Sequence, residues 1–441
     1  MKVNPDSLSP SVLRFKARLV ARGDFQTKGI NFNEVYAPVI RFTSLRIILH
    51  IAAVLDLEII QGDFVNAFLN GKLLEKGIYM TQPEGFEDPV HPDWVCELDG
   101  NIYGLRQGAR VWYECLDTVL RTYGMARTEA DQALWLKILV FLLAHVDDIL
   151  IVGNKSETAG VKTHLSSAFK FKDLGDAHHF LGLVITRDRK NHRLYIDQAP
   201  YVREILDEFK MENCTPVSIP MDPKETWEER PDDISLSPKA VKVYQRAIGK
   251  LMYLMLATRP DLAFSITKLA QFASAPSVRH WQGVLRIMRY LRSHDSARFM
   301  LGDATPPIQI LNPPTNLLGF FDASLIDCVK TRRSTGGYVF FLNGACISWT
   351  SKRQGLVALS STEAEFIAGT EAAKELCWIL GFLQAINRTE FNPRLLGDNK
   401  GALALAKDNA YRPRAKHIHA RERFITTWSR TKDPNNSGYG K

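Results

Sequence analysis

Two adjacent carboxylates, Asp147 and Asp148, interrupt an otherwise apolar stretch of the chain. The flanking runs, residues 138–144 and 149–152, predict a buried β-hairpin with the two acids at its tip. Like charges at contact distance raise each other's pKa, and a bound cation removes the repulsion. An Asp-Asp pair is also common in solvated turns, so the pair alone leaves both interpretations open. The apolar flanks favour a metal site.

A further carboxylate, Asp63, ends a predicted strand at residues 58–63 and strengthens the metal-site interpretation. Apolar residues at helical spacing predict helices at about 44–56, 108–123 and 157–169. This order of elements indicates an antiparallel sheet backed by helices. Later in the chain, Asn343-Gly344 between two apolar runs predicts a second hairpin, and a long helix is expected at about 361–386.

The length of 441 residues is enough for two or three domains. Two polar, proline-bearing stretches, residues 222–233 and 302–315, are predicted linkers. They divide the chain into an α/β segment at 1–222, a helical segment at 235–301 and a second α/β segment at 316–441. The predicted fold class is therefore a multidomain protein with α+β and α/β parts.

Composition and charge narrow the function classes. The apolar run around the Asp pair is too short and too charged to cross a bilayer, so no membrane is expected. Six scattered cysteines without CxxC spacing indicate reduced thiols in an intracellular protein and disfavour zinc. The net charge of +8 is modest, but arginines and lysines cluster near residues 14–22, 286–292 and 412–423. Each cluster could be a solvated face, whereas the three together favour a nucleic-acid partner.

Several stretches of the chain resemble motifs of the reverse transcriptase and ribonuclease H regions of copia-type retrotransposon Pol polyproteins, and they occur in the same order as in those proteins. The motifs lie at residues 16–23, 61–71, 103–113, 145–148, 171–182, 258–263, 331–336 and 358–365. The resemblance implies a right-hand polymerase with palm and fingers in the first segment and a helical thumb or connection in the second. It implies a ribonuclease H-like domain in the third.

The resemblance also implies an activity, its partners and a location. The activity is RNA-directed DNA polymerisation, with ribonuclease H action on RNA–DNA hybrids. The partners are an RNA template, a DNA primer, an RNA–DNA hybrid and deoxynucleoside triphosphates, and the oligomeric state is left open. The expected location is the cytoplasm, in particles, with the nucleus as a second site. The alternative is a catalytically decayed remnant that only binds nucleic acid.

The resemblance assigns roles to residues of the first segment. Asp63, Asp147 and Asp148 would hold two Mg²⁺ ions, with Mn²⁺ as the alternative ion. Neighbouring side chains of a strand point to opposite faces, so we expect one acid of the pair, Asp147, to aim at Asp63. The remaining assignments concern substrates: a steric gate against ribose at Phe68 (ordinary core packing is its alternative), nucleotide contact at Gln107, triphosphate contacts at Lys16 and Arg18, and a template contact at Arg110.

In the third segment, the resemblance implies a ribonuclease H site with two metal ions at Asp322, Glu363 and Asp398. Glu363 has a structural alternative, because Ser360-x-x-Glu363 is also a capping box. Glu365 lies roughly 200° around the helix from Glu363, so we expect it to point away from the site. Aspartates typical of the family are replaced at Ser324 and His419, and a fourth carboxylate is not found. Ribonuclease activity is therefore expected to be weak or absent.

Overall fold

A computed structural model of the protein describes residues 17–73, 77–225, 227–228, 230–303, 315–328, 330–399 and 401–402. Lys16 and His419 lie outside these residues. Within them, the helices are α1 (Phe42–Val54), α2 (Gly108–Thr122), α3 (Lys155–Ala168), α4 (Ala199–Glu208), α5 (Pro238–Ala257), α6 (Ala263–Ala270), α7 (Val278–Ser293) and α8 (Ser361–Ala385). None of these helices is long and apolar enough to span a bilayer.

The strands of the same residues form three larger sheets and one two-stranded ribbon. They are β1 (Glu58–Phe64), β2 (Tyr79–Thr81), β3 (Val95–Glu97), β4 (Ala126–Arg127), β5 (Leu134–Lys137), β6 (Val140–His145), β7 (Asp148–Gly153), β8 (Phe171–Asp176), β9 (His179–Phe180), β10 (Leu183–Asp188), β11 (Arg193–Asp197), β12 (Phe299–Gly302), β13 (Leu317–Ser324), β14 (Thr335–Leu342), β15 (Ala345–Arg353) and β16 (Pro393–Leu396).

The first large sheet has six antiparallel strands in the order β4-β5-β6-β7-β1-β8. Its central strands are apolar on both faces because helices cover both sides. Ile59 and Val152 belong to the core that contains α1, whereas Ile60 and Ile151 belong to the core that contains α2 and α3. The predicted antiparallel sheet backed by helices is confirmed.

The predicted acidic hairpin is also confirmed, as strands β6 and β7. Its turn is tight, and Val146 adopts a left-handed conformation with φ 61°. Two hydrogen bonds hold the turn in place: the Trp112 indole Nε1 donates to the Val146 carbonyl at 2.6 Å, and the Phe64 amide donates to the Asp147 carbonyl at 3.1 Å. Helix α2 and strand β1 therefore both fix the position of the turn.

A helical layer of α4 to α7 lies along the chain between β11 and β12, which pair in the four-stranded sheet β12-β11-β10-β9. It begins earlier than the boundary predicted at residue 235, because Val202 and Ile205 of α4 pack in the same core as α5 to α7. The described part of the predicted linker at 222–233 is also packed. Trp227 is buried in this core, and Asp233 forms a 2.8 Å ion pair with Arg279 of α7.

The last sheet has the order β15-β14-β13-β16, with β13 and β16 parallel and the other pairs antiparallel. Asn343 and Gly344 both have positive φ, 47° and 87°, as the predicted hairpin turn requires. Helix α8, predicted at residues 361–386, lies across β13 and β14. The largest hydrophobic core contains residues of α1, the six-stranded sheet, this last sheet and α8, so the two sheets share one interior.

Replacement of Trp112 by phenylalanine tests the anchor of the acidic turn. Trp112→Phe keeps an aromatic ring against Phe64 and Phe169 but removes the donor to the Val146 carbonyl. We expect the free energy of unfolding to fall by about 1–3 kcal/mol, since a partly buried acceptor loses its partner. Denaturant unfolding measures this, and hydrogen exchange should accelerate at residues 145–149. The control Trp94→Phe alters an exposed ring and should change neither quantity; unchanged exchange in Trp112→Phe would contradict the assignment.

Candidate active sites

Two acids of the first segment, Asp63 and Asp148, lie in a row of four residues across four strands of the six-stranded sheet. Cross-strand pairing joins His145 to Asp148, Asp148 to Asp63, and Asp63 to Lys172. Paired residues of antiparallel strands project to the same face, so two carboxylates stand between an imidazole and an ammonium group. Lys172 was part of a recognised motif, but only the register reveals its place beside Asp63.

This register corrects one expectation. Asp148, and not Asp147, is the cross-strand partner of Asp63. The expectation relied on alternation within a strand, but Asp147 lies in the turn before β7 begins, where strand alternation does not apply. Asp147 remains close enough for its charge to act on Asp148.

The electrostatics of the row fit a cation. Burial, followed by the charges of Asp147 and Asp63, raises the pKa of Asp148 to about 6. Burial lowers the pKa of His145, with Asp147 acting in the opposite direction, so the imidazole adds little positive charge at neutral pH. Carboxylate oxygens are the ligands that Mg²⁺ and Mn²⁺ prefer, and such an ion would relieve the repulsion. The three acids therefore suit a divalent metal.

Phe68 lies in a short 3₁₀ turn that follows β1 and is half-buried. Its ring centre is 5.2 Å from that of Tyr103, and the Arg18 guanidinium lies 5.4 Å from the same tyrosine ring. Tyr103 thus lies between the expected gate, Phe68, and the expected triphosphate contact, Arg18, although no sequence pattern assigns it a role. Arg18 is exposed and can reach a ligand.

Gln107 is almost fully buried, and both ends of its amide are engaged. Its Oε1 accepts from Gln26 Nε2 at 3.1 Å, and its Nε2 donates to the Asn31 carbonyl at 3.1 Å. Gln26 in turn accepts from the Arg106 amide at 2.8 Å. Gln26 was missed, because no sequence pattern marks a contact across 81 residues. It connects the segment after Arg18 to the start of α2.

Arg110, the expected template contact, lies on α2 and is partly exposed. Its guanidinium pairs with Glu34 and, at 2.8 Å, with Glu114. A phosphate contact would therefore have to compete with two carboxylates.

The last sheet carries a second acidic cluster. Asp322 on β13, Glu365 on α8 and Asp398 after β16 each offer a carboxylate oxygen, and these oxygens lie within 4.8 Å of one another. Within the described ranges, it is the one group of three or more acidic, histidine or cysteine side chains that is this tight. Asp63, Asp147 and Asp148 are more widely spread.

The expectation for helix α8 was wrong: Glu365, and not Glu363, lies with Asp322 and Asp398. Glu363 lies at the cap, where its amide donates to Ser360 Oγ at 3.1 Å and its carboxylate accepts from the Leu359 amide at 2.8 Å. The two glutamates do diverge around the helix, but the sheet lies on the side of Glu365. The sequence signal that identifies this side is the small-residue stripe Ala368, Gly369 and Ala372, which continues the face of Glu365.

The second cluster also fits a cation. Burial, with a hydrogen bond and charge from Asp322 and the charge of Asp398, raises the pKa of Glu365 well above its usual range. Glu365 Oε2 is buried and has no hydrogen-bond partner within the described chain. An unsatisfied carboxylate oxygen beside two further acids is the arrangement that a divalent ion would complete.

Two glycines allow the elements of this cluster to approach one another. The Phe321 ring lies against the Cα positions of Gly369 on α8 and Gly397 after β16. A Cβ at these positions would lie 3.0 Å and 2.4 Å from ring atoms of Phe321. Because Phe321 precedes Asp322 and Gly397 precedes Asp398, this close packing brings the three acid-bearing elements together.

The chain is similar in sequence to proteins of one family. Residues 4–223 match the family described as reverse transcriptase (RNA-dependent DNA polymerase). The chain is 39% identical to the retrovirus-related Pol polyprotein from transposon TNT 1-94 of Nicotiana tabacum, over 94% of this chain and 31% of that protein. It is 36% identical to the corresponding polyprotein from transposon RE2 of Arabidopsis thaliana, over 96% of this chain and 28% of that protein.

A shorter relative is covered completely. The transposon Ty5-1 protein of Saccharomyces cerevisiae is 30% identical over 71% of this chain and 100% of its own length. The chain spans about a third of the length of the first two polyproteins. The sheet with its row of acids and these similarities lead to one conclusion: the chain belongs to the copia-type retrotransposon Pol family and contains its reverse transcriptase domain.

Proposed function

We propose that this chain is an RNA-directed DNA polymerase whose acids Asp63, Asp147 and Asp148 hold two Mg²⁺ ions, with Mn²⁺ as a substitute. The observation that carries the proposal is the pairing of Asp63 with Asp148 at the ends of two central strands. The six-stranded sheet serves as the palm, the preceding residues as part of the fingers, and α4 to α7 as the thumb or connection. RNA template, DNA primer and deoxynucleoside triphosphates are the substrates, and the setting is intracellular.

Nucleotide addition is an in-line displacement at phosphorus. The bound ions would activate the primer 3′-hydroxyl and neutralise charge on the leaving pyrophosphate. The protein's part is to hold the carboxylates in place through the strand register and the Trp112 anchor. Asp148, with its raised pKa, stays ionised most readily when positive charge is near.

We propose a nucleotide pocket beside this row. Phe68, held against Tyr103, occupies space that a ribose 2′-hydroxyl would need, and thus favours deoxynucleotides. Arg18 is proposed to contact the triphosphate, together with Lys16. Gln107 is proposed to contact the incoming nucleotide, for which its side chain would have to give up a hydrogen bond to Gln26 or Asn31. Arg110 is proposed to contact the template backbone in competition with its carboxylate partners.

We further propose that the last segment is a ribonuclease H-like domain that cuts the RNA strand of RNA–DNA hybrids. Asp322, Glu365 and Asp398 would hold two divalent ions, which direct water at the phosphodiester. Glu363 supports the helix terminus instead of the metal.

Removal of charge in the row of acids tests the polymerase proposal. Asp63→Asn and Asp148→Asn should each reduce Mg²⁺-dependent incorporation of deoxynucleotides on an RNA template by about 10³-fold, since each removes a metal ligand. Primer extension measures this, with Asp188→Asn, a partly exposed aspartate at the end of β10, as the matched control. Primer–template binding without incorporation by the unmodified protein would support the decayed, binding-only alternative.

Truncation of Phe68 tests the gate. Phe68→Ala should increase the ratio of ribonucleotide to deoxynucleotide incorporation by about tenfold or more, because the 2′-hydroxyl gains room. Single-nucleotide incorporation with both substrates measures the ratio. Phe86→Ala changes an exposed ring and should leave the ratio unchanged. Equal sugar selectivity in Phe68→Ala and the unmodified protein would assign Phe68 to core packing.

A pair of glutamine substitutions separates the two glutamates of α8. Glu365→Gln should lower cleavage of the RNA strand of a hybrid by about 10²-fold or more, because it removes a metal ligand. Glu363→Gln should stay within a few-fold of the unmodified protein, since it affects only a helix cap. Cleavage of a labelled hybrid at saturating Mg²⁺ is the measurement. Greater loss in Glu363→Gln than in Glu365→Gln would reverse the assignment.

A further inference from the structure

One arginine, Arg46, lies where three parts of the chain meet. It belongs to α1, and only 3% of its surface is exposed. Its Nε donates to the Ile347 carbonyl of β15 at 2.7 Å, and its Nη1 donates to the carbonyls of Leu256 and Ala257 at the end of α5, both at 2.9 Å. The guanidinium lies 4.0 Å from the centre of the Trp349 ring. The Arg46 side chain thus connects helix α1, which packs on the six-stranded sheet, to the helical layer and to the last sheet.

The hydrogen-bond acceptors of the Arg46 guanidinium are neutral backbone carbonyl groups. The last carbonyls of a helix lack intrahelical donors, so the arginine completes the C-terminus of α5 while it is itself stabilised by carbonyl dipoles and an aromatic face. Burial lowers its pKa to about 9, and the charge of Glu375 acts in the opposite direction, so the guanidinium stays protonated at neutral pH. A lysine has a single ammonium group and cannot reproduce this planar set of contacts.

Two tryptophans, Trp349 and Trp378, form further contacts between the last α/β segment and the rest of the chain. The indole of Trp349 on β15 donates to the Met255 carbonyl of α5 at 2.9 Å. The indole of Trp378 on α8 donates to the carbonyl of Ala130 at 3.1 Å, and Arg41 lies over its ring at 4.0 Å. The last sheet is therefore docked through specific polar contacts as well as through the shared core.

Regular elements connect Arg46 to both acidic sites. Helix α1 leads through residues 55–57 into β1, which carries Asp63. On the other side, β15 pairs with β14, and β14 pairs with β13, which carries Asp322. No long loop intervenes on either path, so a shift at Arg46 alters the distance between the two sites.

We propose that Arg46 is a positioning residue that sets the separation of the two carboxylate sites, so that RNA is cut at a constant distance behind the primer terminus. The proposal rests on the polymerase and ribonuclease H functions proposed above. It predicts a coupling of position: the cut should move along the template in step with the primer 3′ end.

The test uses the full chain with Mg²⁺ and a labelled RNA template annealed to DNA primers that end at successive positions. In the unmodified protein, the main cut should shift by one nucleotide for each nucleotide added to the primer. Arg46→Met keeps a similar side-chain volume without the donors. It should extend primers within about threefold of the unmodified rate, because both sets of acids are intact, while its cuts spread over several positions. Arg46→Lys should spread the cuts less than Arg46→Met.

The matched control is Arg246→Met, which removes an exposed arginine of α5 paired with Glu208 and should leave the cleavage positions unchanged. Circular dichroism establishes that each variant is folded. If Arg46→Met does not fold, Trp349→Phe keeps the ring over Arg46 but removes the donor to Met255, and it should also spread the cuts. The proposal is overturned if the cut positions in the unmodified protein do not depend on the primer end. It is also overturned if every folded variant of Arg46 and Trp349 still cuts at a single position. Absence of extension or cleavage in the unmodified protein overturns the proposed functions themselves.

Discussion

Repulsion between like-charged carboxylates is the constraint around which both candidate sites are organised. At each site, acids from separate elements of secondary structure are brought close together, and burial with neighbouring charge raises the pKa of one member. Such an arrangement is unfavourable by itself, so packing elsewhere must hold it. A divalent cation would then convert the repulsion into binding energy, which is why both sites suit metal-dependent phosphoryl chemistry.

The acids of the two sites are held in position by different contacts. In the six-stranded sheet, the acids lie at strand ends, and the turn between β6 and β7 is held by hydrogen bonds to its carbonyl groups from Trp112 and Phe64. In the last sheet, the elements that carry the acids lie close together because Gly369 and Gly397 have no side chain, which leaves room for the Phe321 ring. A backbone anchor tolerates changes in the surrounding core better than close packing, where a single added Cβ meets ring atoms.

The shared core gives both sites one rigid frame. Helix α1 packs on the six-stranded sheet, and its Arg46 reaches the last sheet and the end of α5. A polar junction of this kind specifies one orientation, because its hydrogen bonds are satisfied only when three elements are correctly placed. Apolar contact alone would permit small rotations. The spacing between the two sites is therefore a property of the docked assembly of segments.

Local patterns predicted much of the fold. The acidic hairpin, strand β1, helices α1 to α3, the Asn343-Gly344 turn and helix α8 all follow from hydrophobic period and turn chemistry, since these depend on residues close in sequence. The boundary of the helical layer was predicted too late, because α4 joins it through long-range packing of Val202 and Ile205. Gln26 and Tyr103 were missed for the same reason: their partners lie far away along the chain.

The sequence by itself determined which acids are present, which elements carry them and, through ordered motifs, the family to which the chain belongs. Only the tertiary structure decided which acid lies directly opposite Asp63, which is Asp148 instead of Asp147, and which glutamate lies with Asp322 and Asp398, which is Glu365 instead of Glu363. The physical reason is the same in both cases. The residue at which a strand begins, and the side of a helix that a sheet covers, depend on contacts between distant elements, and no local spacing encodes them.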